Sequence, residues 1–138
     1  MKKKVLIVTA SYYWNITASL RAEAEFLLDE AKIKFDVIDV PGVFEIPVTI
    51  AKNIKKYDGF IALGCVIKGE TPHFDLICKS TFESIQYLSI TYNKPIGNGI
   101  ITSLNKKQAY ERCGKLKYNK PNKGSEAARA VLSILKNG

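Results

Sequence analysis

The chain has 138 residues, 46% of them apolar and 25% charged, with a formal net charge of +8 at pH 7. That size and balance suit one folded domain over residues 1–138 with a full hydrophobic core, and no apolar run approaches the roughly 20 residues that a membrane-spanning helix needs. The positive charge is nearly all lysine, with Arg21, Arg112 and Arg129 as the only arginines, and it lacks the arginine stripe with interleaved aromatics that would point to nucleic acid.

Residues 2–4 are lysines followed by the run VLIVTA. The run is too short for a signal peptide and SYYW supplies no small-residue cleavage site, so a lysine-fronted first strand in a cytoplasmic protein is expected. Cys65, Cys78 and Cys113 are spaced for neither a CxxC pair nor a zinc site, which predicts reduced, mostly buried thiols and no metal.

Residues 5–10 form a continuous apolar, β-branched run, the mark of a strand buried on both faces. A helical pattern follows from Asn15, with Leu20, Ala24, Leu27 and Ala31 on one face and Asn15 or Thr17 as its cap. Residues 35–40 alternate as a second strand that ends at Pro41-Gly42. A second helix is expected over about 45–56, with Pro47 tolerated in its first turn.

Residues 60–67 read as a third buried strand. Thr71 and Pro72 form an N-cap and N1 pair for a third helix, with Asp75 in its first turn. Phe74, Cys78, Thr81 or Phe82, Ile85 and Leu88 make its inward stripe. Residues 95–103 read as a fourth strand, with Gly97 and Gly99 leaving one face bare, and two helices over 105–113 and 124–136 close the chain. The lysine-rich stretch between Gly114 and Asn122 reads as a surface connection. Strands alternating with helices predict a parallel sheet covered on both faces, a three-layer α/β/α sandwich of flavodoxin-like type.

In such sheets ligands bind beyond the carboxyl ends of the strands. Four ends meet there: Tyr12-Tyr13-Trp14, PGVFE, KGETPH and Thr102-Ser103, and they are expected to line one cleft. The aromatics suit a flat heterocycle, and Glu45 suits hydroxyls or ring nitrogens. The turn at Gly69, Glu70 and Thr71 opens a helix whose amides favour an anion. His73, the only histidine, lies just inside that helix, a position that suits proton transfer to or from a bound substrate. Each feature also has an ordinary explanation: a polar residue at a helix start, a loop packed on the first helix, a first-turn acid, plain surface charges at Arg112 and Lys123. No Walker loop, GxGxxG or GxSxG is present, so nucleotide hydrolysis, dinucleotide binding and serine hydrolase chemistry lack support.

Five motifs in series carry more. PGVFEIP (41–47), GCVIKGETPHFD (64–75), GNGIIT (97–102), ERCG (111–114) and NKGSEAA (122–128) follow the order and spacing of the lumazine synthase family, and the chain resembles that family over nearly its whole length. The resemblance implies a cofactor-free condensation of 5-amino-6-(D-ribitylamino)uracil with 3,4-dihydroxy-2-butanone 4-phosphate. It implies His73 as the proton-transfer residue, and Tyr12 stacked on the pyrimidine, with Tyr13 or Trp14 as the other candidates for that stack. Val43, Phe44, Glu45, Val66, Ile67, Lys68 and Asn98 are implied around the ring and ribityl chain, Asn98 from a neighbouring subunit. Gly69, Glu70, Thr71, Arg112 and Lys123 are implied around the phosphate.

The chain departs from the family in three places. Ser11 stands where an arginine is common, and Glu70 puts a carboxylate where a small residue is usual, so its side chain is expected to point outward. The connection before NKG is long and the chain begins at its first strand, which predicts a pentamer or two stacked pentamers rather than a hollow shell. The rival readings on a related scaffold are an archaeal-type riboflavin synthase and a non-catalytic lumazine- or flavin-binding protein.

Overall fold

The computed structural model describes residues 2–69, 72–114 and 121–137. The Glu70 and Thr71 part of the phosphate-side turn, the expected Thr71 cap and most of the 114–122 connection therefore lie outside the described residues. Four strands, β1 (Lys4–Ala10), β2 (Lys34–Val40), β3 (Gly59–Ile67) and β4 (Ile96–Ser103), form one sheet in the order β2-β1-β3-β4. Every neighbouring pair is parallel. Among the described residues no helix is long and apolar enough to cross a membrane.

The period of two along each strand sorts the apolar residues into two layers. Val5, Ile7, Ile61, Leu63 and Ile101 face α1 (Trp14–Glu30), α4 (Lys106–Arg112) and α5 (Lys123–Asn137), meeting Leu20, Leu28, Ala109, Ala127 and Val131. Leu6, Val8, Phe60, Ala62 and Ile100 face α2 (Ile46–Lys52) and α3 (His73–Tyr92), meeting Ile46, Ile50 and Ile85. Both faces are thus buried, which explains why β1 and β3 are almost wholly apolar while edge strand β2 still carries Lys34, Asp36 and Asp39. The bare face of β4 serves α5: a Cβ on Gly97 would stand 2.3 Å from the Ala127 carbonyl oxygen.

Two helices, α1 and α2, depart from expectation. α1 begins at Trp14 with no side-chain cap; the Tyr13 carbonyl accepts from Ile16 and Thr17 instead, and the Asn15 amide reaches across to the Tyr110 hydroxyl. Its fully buried stripe ends at Leu28, one position past Leu27, and Ala31 is the exposed C-cap. α2 stops at Lys52, because Asn53 folds its side-chain amide back onto the Thr49 carbonyl and the next residues turn. α4 is capped by Asn105, whose Oδ1 accepts from the Gln108 amide at 2.9 Å while Gln108 Oε1 accepts from Leu104 at 2.8 Å, a reciprocal cap.

Candidate active site

The carboxyl ends of β1 and β3, the 3-10 turn Val43–Glu45 and the first turn of α3 enclose a cleft of about 420 Å³. Tyr12, Tyr13, Val43, Phe44, Val66, Ile67 and His73 line it, joined by Gly42, Cys65 and Ile77. Tyr12 is 78% exposed and Phe44 60%, so two aromatic faces stand open at the rim while the half-buried Tyr13 forms the wall beneath. The Tyr12 and Tyr13 rings meet edge to face at 4.9 Å. Trp14 does not line the cleft. Its ring carries the Arg21 guanidinium at 4.8 Å, and Arg21 is held by Asp39 at 3.2 Å, which fixes the start of α1 against β2.

His73 is the first residue of α3 and exposed, with Asp75 in the same turn. Cys65 and Ile77 are lining residues that the sequence reading does not single out for the site, Cys65 being expected only as a buried thiol. For Ile77 the signal is present in its spacing: four residues after His73 puts both on one helix face. Cys65 is inert, since burial pushes its thiol up to about 12.

Glu45 stands behind this cleft rather than in its wall. Its Oε1 accepts the Gly42 amide hydrogen at 3.0 Å, closing the turn that presents Val43 and Phe44. With Phe44, Pro47, Val48, Ser80, Thr81 and Ser84 it borders a second hollow on the α2 and α3 face. Lys68 and Gly69 are exposed at the end of β3; the Lys68 amide donates to the Ser103 carbonyl at 2.9 Å, which ties the two strand ends together.

The expectation of one cleft for all four strand ends is not met within the chain. Asn98, Arg112 and Lys123 line a separate cleft of about 340 Å³ with Phe82, Ile100, Ile101 and Thr102. The strand order accounts for the separation: β3 stands between β4 and β1, so the cleft along β4 is set apart from the ends of β1 and β2. One Arg112 N–H donates to the Thr102 carbonyl at 3.3 Å, and Lys123 Nζ stands 3.9 Å from Glu126 Oε1. These cations on an open cleft offer charge-assisted contacts to an anion. The chain therefore carries two separate clefts, one lined by aromatics and an imidazole and the other by two cations. Among the described residues no group of three or more His, Cys, Asp and Glu side chains is placed to hold a metal ion.

Residues 2–137 match the family model described as 6,7-dimethyl-8-ribityllumazine synthase. The chain belongs to that family. Curated relatives of the same name agree with the match. The one from Bartonella henselae is 43% identical, covering 97% of this chain and 87% of its own length. The Bartonella tribocorum relative is 42% identical over 98% and 91% of the two chains, and the Agrobacterium fabrum relative 40% over 97% and 93%. With the family established, the parallel sheet and its covering helices are the lumazine synthase fold.

Proposed function

We propose that the whole chain acts as one catalytic domain. It joins 5-amino-6-(D-ribitylamino)uracil to 3,4-dihydroxy-2-butanone 4-phosphate, giving 6,7-dimethyl-8-ribityllumazine, phosphate and water, the penultimate step of riboflavin biosynthesis, in the cytoplasm. The observation that carries this reading is the cleft that gathers Tyr12, Val43, Phe44 and His73 in a chain of this family.

In this reading Tyr12 and Phe44 bracket the flat pyrimidine. Val66, Ile67 and Lys68 border the ring, while Glu45 takes ribityl hydroxyls on the carboxylate oxygen that Gly42 does not use. The pyrimidine amine attacks the ketone carbonyl and water leaves as the imine forms. A proton is then removed beside the imine and phosphate departs with the C–O bonding pair. The second amine closes the ring and water leaves again. His73 takes and returns protons in these steps. No electrons are exchanged with an outside acceptor, and membership of the family implies that no cofactor takes part. Holding amine and ketone together supplies much of the rate, because the pair reacts slowly when free. The backbone amides of Gly69, Glu70 and Thr71, with Arg112 and Lys123, grip the phosphate.

The separation of His73 from Arg112, Lys123 and Asn98 supports a site completed between two copies. α3 exposes Leu76, Tyr87, Ile90 and Tyr92, and α2 exposes Val48, an apolar surface suited to burial against another copy. In this reading the copies form a pentamer, or two stacked pentamers, in which cationic half-sites meet aromatic ones.

The test is to mix purified protein with both substrates and follow lumazine absorbance and phosphate release. Acceleration over the enzyme-free rate, with phosphate and lumazine formed in equal amounts, is expected. Binding without acceleration would leave a lumazine-binding protein instead.

A further inference from the structure

Arg112 is the last residue of α4 and Lys123 the first of α5. Ten residues separate them along the chain, so their common place on one cleft needs a device that holds the two helix ends together. Asn122 is that device. It is 9% exposed, and both ends of its side-chain amide are used. Nδ2 donates to the Cys113 carbonyl at 2.7 Å, and Oδ1 accepts from the Ser125 amide at 3.1 Å, capping α5. Its backbone forms an antiparallel bridge with Cys113, and its carbonyl accepts from Glu126 at 3.2 Å. The Ser19 hydroxyl donates to the same Cys113 carbonyl at 2.9 Å, fixing it to α1 as well.

The neighbouring glycine makes the approach possible. Gly114 has φ +71°, in the left-handed region, and a Cβ there would stand 3.0 Å from the Asn122 Cβ. The motifs ERCG and NKG thus meet through one buried amide, with a cation immediately before Cys113 and another immediately after Asn122.

We infer that Asn122 is a positioning residue for anion binding: its amide fixes Arg112 and Lys123 relative to each other on the rim of the β4 cleft. The inference rests on the assignment of those two cations to the phosphate of the ketone substrate. A buried amide bonded at both ends holds such a separation firmly, because leaving either polar group unpaired is costly. The gain is paid in advance, so the phosphate meets a preformed pair.

The experiment compares Asn122→Ser and Asn122→Asp with Arg112→Ala and Lys123→Ala in steady-state kinetics. Serine keeps a cap on α5 but is too short to reach the Cys113 carbonyl. Aspartate is isosteric and a strong N-cap, so it keeps the fold testable if serine does not. Asn122→Ser is expected to raise the KM for the phosphorylated ketone about tenfold, leaving the KM for the ribitylamino-pyrimidine and the saturated kcat within about twofold. Asn122→Asp is expected to raise the ketone KM at least as much. Equal rises in both KM values, or no rise in the ketone KM of a folded variant while Arg112→Ala does raise it, would overturn the inference. If neither Arg112→Ala nor Lys123→Ala changes the ketone KM, the phosphate assignment itself fails and the inference falls with it.

Discussion

The Glu45 carboxylate accepts the Gly42 amide hydrogen at 3.0 Å, so the residue read as a substrate ligand also holds the turn on which Val43 and Phe44 sit. Glu45→Gln keeps an acceptor oxygen for Gly42, whereas Glu45→Ala removes it along with the negative charge. A hydrogen bond to a charged group is worth about 1.5–3 kcal/mol. The alanine variant is therefore expected to raise the KM for the ribitylamino-pyrimidine by at least about tenfold, with the glutamine variant less affected. Initial-rate kinetics with each substrate varied in turn would check this; an unchanged pyrimidine KM would count against Glu45 at the ribityl end.

His73 opens α3 and faces the aromatic cleft. Positioning of the two substrates persists without the imidazole, so His73→Ala should slow turnover by roughly 10²-fold without abolishing it. Single-turnover absorbance at saturating substrates would measure the loss. A rate equal to that of the unaltered protein would return His73 to an ordinary surface histidine.

The closeness of Gly97 to Ala127 makes a stability prediction. The atom that a Cβ would strike is a backbone carbonyl at 2.3 Å, which no side-chain rotation relieves. Gly97→Ala should destabilise the fold by about 3 kcal/mol, read as a lower urea midpoint with an unchanged slope.

Much of the sheet is legible in the sequence because a strand buried on both faces must be apolar at nearly every position, as β1 and β3 are. Helix ends are less so. Asn15 looks like a cap by type, yet its amide is spent on Tyr110, a residue of α4 far along the chain. The aromatic half-site is legible because its residues come from three segments, SYYW after β1, PGVFE after β2 and GCVIKGETPHFD from β3 onward, whose strands are neighbours in the sheet. The split from Asn98, Arg112 and Lys123 is not, since it depends on β4 taking the edge of the sheet, a fact of strand order that no local pattern encodes. Cys65 and Phe82 are hidden for a related reason: an apolar residue in a cleft wall reads the same as one in the core.

A pH effect arises away from the site. The Tyr57 hydroxyl donates to Asp36 Oδ2 at 2.6 Å, and Lys4 pairs with the same oxygen at 3.0 Å. That hydrogen bond pushes the Tyr57 phenol up to about 12, above its ordinary 10.0. The same bond, followed by the Lys4 contacts, lowers the Asp36 carboxyl below its ordinary value. Raised in the fold, Tyr57 contributes stability that is fully present below about pH 10 and is lost as pH rises through about 12. Lowered in the fold, Asp36 contributes stability that is present above its ordinary value of 3.8 and lost as pH falls through the lowered one. Tyr57→Phe should remove the alkaline component and shrink the acid one. Unfolding free energies across the pH range, compared between the two proteins, would show it; parallel curves above pH 10 would contradict the Tyr57 assignment.

The two half-sites permit a test that a one-chain site cannot pass. His73→Ala damages the aromatic half and Arg112→Ala the cationic half, and each variant alone carries the same defect at every interface. If neighbouring copies supply the halves, rings assembled at random from equal amounts of both variants contain intact pairs at about a quarter of their interfaces. Those interfaces have His73 from one copy and Arg112 from the next, so co-assembled protein should exceed the mean activity of the two parents. Mixing preformed oligomers without subunit exchange should give no such gain. If His73 and Arg112 served the same substrates within one chain, every site in the mixed rings would still lack one of them, and co-assembly would restore nothing.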